Sequence, residues 1–206
     1  MPYHFLEVAV TPSVRAAQAN MGVDQIWLGA DNRPSDTLTE DEIALIASRD
    51  SFYMASVSET GWPYVQHRGG KAGLKIVDQR TLAFADYLGN RQYISAGNFA
   101  ANDRACLFLM DYVRRARLKI YAYVERLALD ADQELTELVS DPTYKGRAER
   151  IFRFRLEAFD WNCPQHIIPR YTEQQVEQAV APLREQLQRL ETENATLRAP
   201  LENPER

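Results

Sequence analysis

The sequence predicts a mainly β protein: an antiparallel barrel with flanking helices and a C-terminal helical tail. Two observations point to the barrel. Between residues 51 and 161, six or seven runs alternate apolar and polar side chains, the period of a half-buried strand. Few helices separate those runs, so the strands are expected to pair antiparallel rather than through parallel crossovers. A third observation sets the tail apart, because from Val176 onward the apolar residues step by four and three along a helical seam. The expected division is an N-terminal helix and loop (1–38), a barrel (39–172) and a tail (173–206). No repeat of solenoid length is present.

Taken in order, Thr11-Pro12 reads as a helix start, a capping hydroxyl followed by a proline whose missing donor costs nothing in the first turn; Gly22 ends that helix. Residues 23–37 read as loop, with Trp27-Leu28 pinning it to the body. Thr39-Glu40-Asp41-Glu42 is a capping box ahead of an apolar stripe at Ile43, Ile46 and Ala47. In the first strand Phe52, Met54 and Ser56 face one way and Tyr53, Ala55 and Val57 the other. Glu59-Thr60-Gly61 turns the chain into a strand from Trp62 to His67, broken by Gly69, Gly70 and Gly73. A second hairpin, Leu74–Val77 and Thr81–Asp86, turns at Asp78-Gln79-Arg80. A short helix is expected over 90–101, strands over 104–111 and 118–129, and a helix over 131–139 capped by Asp130. The last strand, 150–161, sets Phe152, Phe154, Leu156 and Ala158 against Arg153, Arg155, Glu157 and Phe159. Phe52, Phe84, Phe108 and Tyr121 read as core, as does Cys106.

In the tail, Val180, Leu187 and Asn194 fall at heptad position a, and Leu183, Leu190 and Leu197 at d. Leucine at d with one asparagine at a is the parallel-dimer choice. The same stripe also suits a helix laid on the barrel. Pro182 marks a helix start or kink, and residues 199–206 are expected to be disordered.

Composition narrows the function. The chain of 206 residues is 45% hydrophobic and 26% charged, an ordinary globular balance. A net charge of −5 disfavours a duplex nucleic acid as partner. No segment approaches the roughly 20 apolar residues that span a bilayer, and the two cysteines suggest no disulfide framework, so a soluble cytoplasmic protein without membrane partner is expected. Cys163 and His166 have zinc-ligand spacing, but the other histidines, His4 and His67, supply no second pair, and no metal is expected. There is no nucleophile elbow and no P-loop, and no catalytic residue stands out.

Chemistry concentrates in residues 61–111, GWPYVQHRGGKAGLKIVDQRTLAFADYLGNRQYISAGNFAANDRACLFLMD. Gln66-His67-Arg68-Gly69-Gly70 is a strand end where glycines let a ligand approach the backbone, or simply a bulged end with a solvated arginine. Gly89-Asn90-Arg91-Gln92 at a helix start offers free amides and a guanidinium, which suit a phosphate; alone it is also an ordinary turn and cap. Asp160-Trp161-Asn162 places a tryptophan beside amides, a combination able to cover a flat ring; His166 reads equally as a site or a loop residue.

The order and wording of that stretch resemble the FMN-binding split-barrel family, the pyridoxamine 5'-phosphate oxidase-like proteins. The resemblance covers about residues 40–130. It implies a split-barrel homodimer with FMN as cofactor. By this resemblance Val65, Gln66, His67 and Arg68 line the flavin, and Ala85 and Asp86 sit beside the phosphate. Gly89, Asn90, Arg91 and Gln92 hold that phosphate, and Arg117 and Lys119 reach the flavin from the other subunit. From the residues themselves, and not from the family, Trp161 and Asn162 are expected to cover the ring. The chain departs from the family's oxidases in two ways: Asn90-Arg91 stands where they carry a basic pair, and their C-terminal arginine-leucine pattern for the pyridoxal substrate is absent. The expected function is therefore an FMN-dependent oxidoreductase passing hydride or electrons between a reduced donor and a small organic substrate, rather than pyridoxamine phosphate oxidation itself. The alternatives are a non-enzymatic flavin binder, a haem binder with His67 or His166 as axial ligand, or a ligand-free interaction protein.

Overall fold

The computed structural model describes residues 4–27, 36–70, 73–161 and 164–202. Among the described residues seven strands form one antiparallel sheet: β1 (Ser51–Val57), β2 (Pro63–Gly69), β3 (Lys75–Asp78), β4 (Thr81–Tyr87), β5 (Arg104–Asp111), β6 (Ala116–Leu127) and β7 (Ala148–Trp161). Their order is β2-β1-β5-β6-β7-β4-β3, so β2 and β3 are the two unjoined edges of a split barrel. The helices are α1 (His4–Ala9), α2 (Pro12–Asn20), α3 (Glu40–Ala47), α4 (Ile94–Ala101), α5 (Gln133–Val139) and α6 (Glu173–Glu202). By contacts the chain divides into two compact units. The first takes in Met1–Asp111 and Arg115–Ile167, and the second Tyr112–Arg114 and Ile168–Arg206.

The barrel fills with the inward set of each alternating strand. Phe52, Met54, Leu82, Phe84, Leu107, Leu109, Leu118, Ile120, Phe152 and Phe154 are all buried. Phe52 meets Phe84 edge-on with centroids 5.2 Å apart, and Phe99 of α4 meets Phe152 at 5.5 Å. A smaller cluster, Ala83, Ala85, Leu135, Val139 and Ile151, lies on the opposite side of β4 and seats α5. Phe108 and Tyr121, expected in the core, are instead half-buried on the outer face, as is Cys106. Tyr121 is stacked by Phe5 of α1 at 4.7 Å.

Local signals placed several elements correctly. Thr11 caps α2, accepting from the Val14 N–H at 3.4 Å, and Gly22 follows with φ +66°. At α3 the Glu42 carboxylate accepts both the Thr39 backbone N–H, at 2.8 Å, and the Thr39 hydroxyl. The buried face of α3 is Glu42, Leu45 and Ile46, and Ala47 is exposed, so the expected stripe is rotated. α5 is capped by Asp132, not Asp130; its carboxylate takes the Leu135 N–H at 2.9 Å. α4 begins at Ile94, four residues later than expected, because Arg91 (φ +60°) and Tyr93 (φ +53°) occupy the left-handed region and interrupt the helix. α1 was not expected. It is six residues long and is held by tertiary contacts, not by its own propensity.

A single extra residue reverses the faces at the end of β7. β7 pairs Tyr121↔Ala158 and then Ala122↔Leu156, a bulge that leaves Glu157 out of the ladder with β6. Beyond it the side-chain parity flips. Phe159 therefore joins the core instead of facing Arg153 and Arg155, and Trp161 packs half-buried against the same cluster. α6 continues through Pro182 to Glu202, past the point where disorder was expected. The Leu28 side of the Trp27-Leu28 contact, and Asn162 and Cys163, lie outside the described residues. Among the described residues no helix is long and apolar enough to cross a membrane.

Candidate functional site

Strand alternation divides the β2 residues between two surfaces. Tyr64, Gln66 and Arg68 turn toward a notch that Asp86, the 89–96 loop and Glu149 complete. Val65 and His67 turn the other way, with Val65 61% exposed and His67 edge-on to Tyr53 at 5.6 Å. The expected flavin-lining run Val65–Arg68 is thus two faces of one edge strand. Ala85 is fully buried and faces α5, so only its backbone can serve the notch.

Asp86 anchors the notch. It is buried at the end of β4, where the register sets it opposite Arg150 of β7. Its Oδ1 accepts from the Arg68 guanidinium at 2.7 Å, and its Oδ2 lies 3.4 Å from Arg150 Nε. Burial pushes the Asp86 carboxyl above its ordinary range, and the two arginines pull it back only in part. The Arg68 side chain runs over Phe152, 5.8 Å from the ring centroid. Its Nε is buried and has no hydrogen-bond partner among the described residues. A donor left in that state costs free energy unless an acceptor arrives.

The 89–93 loop forms the other wall. Asn90 Oδ1 accepts from the Gln92 N–H at 3.2 Å, an Asx turn. A tyrosine in the left-handed region is a rare conformation held only where its surroundings impose it. Here the Tyr93 hydroxyl donates to Glu149 at 3.1 Å, and the Arg150 guanidinium lies 5.0 Å from its ring centroid. Behind the loop, Ser95 donates to Gln66 at 3.2 Å, Asn98 to Ser56 at 2.9 Å, and Arg126 to the Ala96 carbonyl at 3.1 Å. The first turn of α4 is therefore fixed to β1, β2 and β6, and its Ile94, Ser95 and Ala96 line the notch. Arg91 is exposed and carries its charge at the rim with no partner of its own among the described residues. Gly89 has ordinary backbone, and a side chain there would meet nothing.

The arrangement suits an anionic head group. It offers an orphaned guanidinium nitrogen, a second guanidinium and the start of an eight-residue helix. The cavity measures about 40 Å³, far below the roughly 300–1,000 Å³ of an ordinary ligand pocket. The space is on the scale of a small head group, not of a ring system. Anything larger attached to that head group would have to lie on open surface.

Of the other expected site residues, the described ones Arg117, Lys119 and Trp161 are elsewhere. Lys119 pairs with Asp160 at 2.6 Å and lies over the Phe5 ring at 4.6 Å. Arg117 lies over Phe108 at 5.5 Å. Both are on the outer face of β6, away from the notch. Trp161 is at the far end of β7, its indole N–H donated to Glu42. Sequence reasoning missed Tyr64, Tyr87, Ser95, Glu149 and Arg150. Only the long-range register Asp86↔Arg150 brings the last two in, and no local signal marks them. A larger groove of about 610 Å³, between α5 and the sheet, contains none of the expected residues. Several of its carboxylates are already committed: Asp132 to the α5 cap, Asp78 to the Arg80 N–H and Glu125 to Arg153.

Residues 38–159 match the family described as pyridoxamine 5'-phosphate oxidase. No curated protein matches the sequence. Among solved structures, HupZ from Group A Streptococcus is 13% identical, covering 59% of this chain and 91% of that one with a TM-score of 0.46. A Clostridium acetobutylicum protein related to general stress protein 26, of the pyridoxinephosphate oxidase family, is 14% identical (59% and 85% covered, TM-score 0.46). An FMN-binding protein from Syntrophomonas wolfei is 15% identical (58% and 82% covered, TM-score 0.44).

Proposed function

The chain belongs to the pyridoxamine 5'-phosphate oxidase family, and from that premise we propose that it binds FMN and acts as a homodimeric flavin oxidoreductase on a small organic substrate. The observation that carries the reading is the orphaned Arg68 Nε in a phosphate-sized notch beside Arg91 and the start of α4. In this reading Arg68 and Arg91 hold the phosphate, and Asp86 aims Arg68. The ring extends from the notch onto the β2 edge, where a single chain offers no enclosure. A second chain supplies the cover and excludes water. Tyr53, Val57, Trp62 and Val65, 38–75% exposed, give that second chain an apolar seat. Arg117 and Lys119, on the same outer face, are the residues we assign to the partner's ring. Bound FMN would supply the hydride or electron transfer; the protein supplies binding and orientation.

The test is the visible absorption spectrum of the purified protein, before and after adding FMN and desalting. Retained flavin bands are expected, with Arg91→Ala losing at least tenfold in FMN affinity. A colourless protein indifferent to FMN would overturn the reading. A Soret band would instead favour the haem reading, for which His67 is exposed on the β2 edge.

A further inference from the structure

We propose that α6 pairs with α6 of a second copy of this chain as a parallel two-stranded coiled coil. The helix runs unbroken over 30 residues, about 45 Å at 1.5 Å per residue. Its start is fixed by a reciprocal cap. The Thr172 N–H donates to Gln175 Oε1 at 2.9 Å, and the Thr172 hydroxyl accepts from the Gln175 N–H at 3.2 Å. Val176, Leu183, Leu187, Leu190 and Leu197 all lie on one stripe and are 49%, 65%, 57%, 52% and 66% exposed. Isolated helices are marginal in water, and a stripe of this kind is stabilised by burial against a partner.

The sequence of the stripe specifies which partner. Val180, Leu187 and Asn194 occupy a; Val176, Leu183, Leu190 and Leu197 occupy d. In a parallel pair of identical helices Asn194 meets its own counterpart, and the two amides bond to each other. Antiparallel pairing of the same seam sets Val180 against Leu197 and Asn194 against Leu183, leaving each amide facing a leucine, which is costly. The flanking charges agree. In the parallel register Glu193 at g faces Arg198 at e of the other copy, and Gln186 faces Glu191, so no like charges meet. Pro182 is at c, on the outside of such a pair, and its missing N–H does not interrupt the a and d layers. The inference rests on α6 alone and is independent of the flavin reading.

The experiment uses the full chain with Cys106→Ala and Cys163→Ala, carrying Leu197→Cys, oxidised with glutathione disulfide and read on a non-reducing gel. A disulfide-linked pair is expected, at least tenfold more abundant than with Thr192→Cys, which places the thiol at the outward f position. A mixture of Val180→Cys and Leu197→Cys chains is expected to link 197 to 197 and not 180 to 197. No linked pair, equal linking through position 192, or preferred 180–197 linking would each overturn the proposal. Adding Leu187→Glu and Leu190→Glu should abolish the Leu197→Cys link with unchanged flavin absorbance, and survival of the link would also count against it. Loss of flavin bands in every sample would strike the cofactor reading and leave the pairing result standing.

Discussion

At one end of β7, Trp161 donates its indole N–H to Glu42, whose other carboxylate oxygen takes both donors of Thr39. At the other end, Glu149 and Arg150 join Asp86, Arg68 and Tyr93, and there one buried nitrogen of Arg68 and the whole charge of Arg91 are left over. Both ends bury a carboxylate, Glu42 at 4% and Asp86 at 6% exposure. The difference is in what remains after internal pairing. A buried polar group whose bonds are all made within the chain contributes to stability and specifies the fold. A cluster with donors to spare is a place where a ligand completes the bonding. On the proposed flavin reading the Arg150 end is the ligand site and the Trp161 end belongs to the fold, although the sequence marked Trp161, Arg68 and Asp86 alike as candidate flavin contacts.

Arg68 holds the open end together. Arg68→Ala leaves Asp86 buried with Arg150, at 3.4 Å, as its remaining partner, and should cost about 3 kcal/mol of stability in urea unfolding. It should also abolish FMN retention. A stable, flavin-loaded Arg68→Ala protein would mean that the network is ornamental. Glu42→Ala is the matched change at the closed end. It removes an acceptor for three donors and should cost about 2 kcal/mol, yet leave FMN affinity within twofold. If Glu42→Ala lost flavin, the division between the two ends would fail.

Arg91→Ala sharpens the same division from the opposite side. The residue is exposed and makes no bond to the described residues, so its removal should change stability by less than about 0.5 kcal/mol. FMN affinity should fall at least tenfold, by about 1.4 kcal/mol or more, as titrated by flavin fluorescence. A stability loss larger than the affinity loss would reassign Arg91 to the fold.

The smallest expected effect concerns α1. His4 is held between Glu7, at 2.8 Å from Nδ1, and Glu157, at 3.2 Å from Nε2. Burial lowers its pKa, but bonding and charge interactions with the two carboxylates outweigh that, and the net shift is upward from 6.5. A raised folded pKa means a stabilising contribution that is complete below the unfolded value and is lost as pH rises through the folded one. Hydrogen exchange at α1 should therefore speed up as pH is raised from about 6 into the range above 6.5, after correction for intrinsic rates. His4→Ala should flatten that dependence; an unaltered profile would place the titrating group elsewhere.

Much of this molecule was legible in its sequence because the deciding interactions are local. The Thr11-Pro12 start, the Thr39–Glu42 box and the Gly61 turn each involve residues within a few positions of one another. Strand alternation located β1, β5 and the first part of β7, since every second residue must face the core. The same alternation misled beyond Leu156, where one bulged residue reversed the faces of Phe159 and Trp161. Nothing around Glu157 announces a bulge; it is a property of the β6–β7 register.

The mainly β class, the caps and turns, the heptad seam of α6 and the two segments, 66–68 and 89–92, that reach the notch are all written in local residue patterns. That Arg68 and Asp86 pair across 18 residues, that Glu149 and Arg150 close the network, and that Val65 and His67 face away from it follow from how the strands assemble. The physical reason is range. Propensity and capping act over one turn of helix or one hairpin, whereas a buried charge network and a bulge are set by which strands meet and in what register.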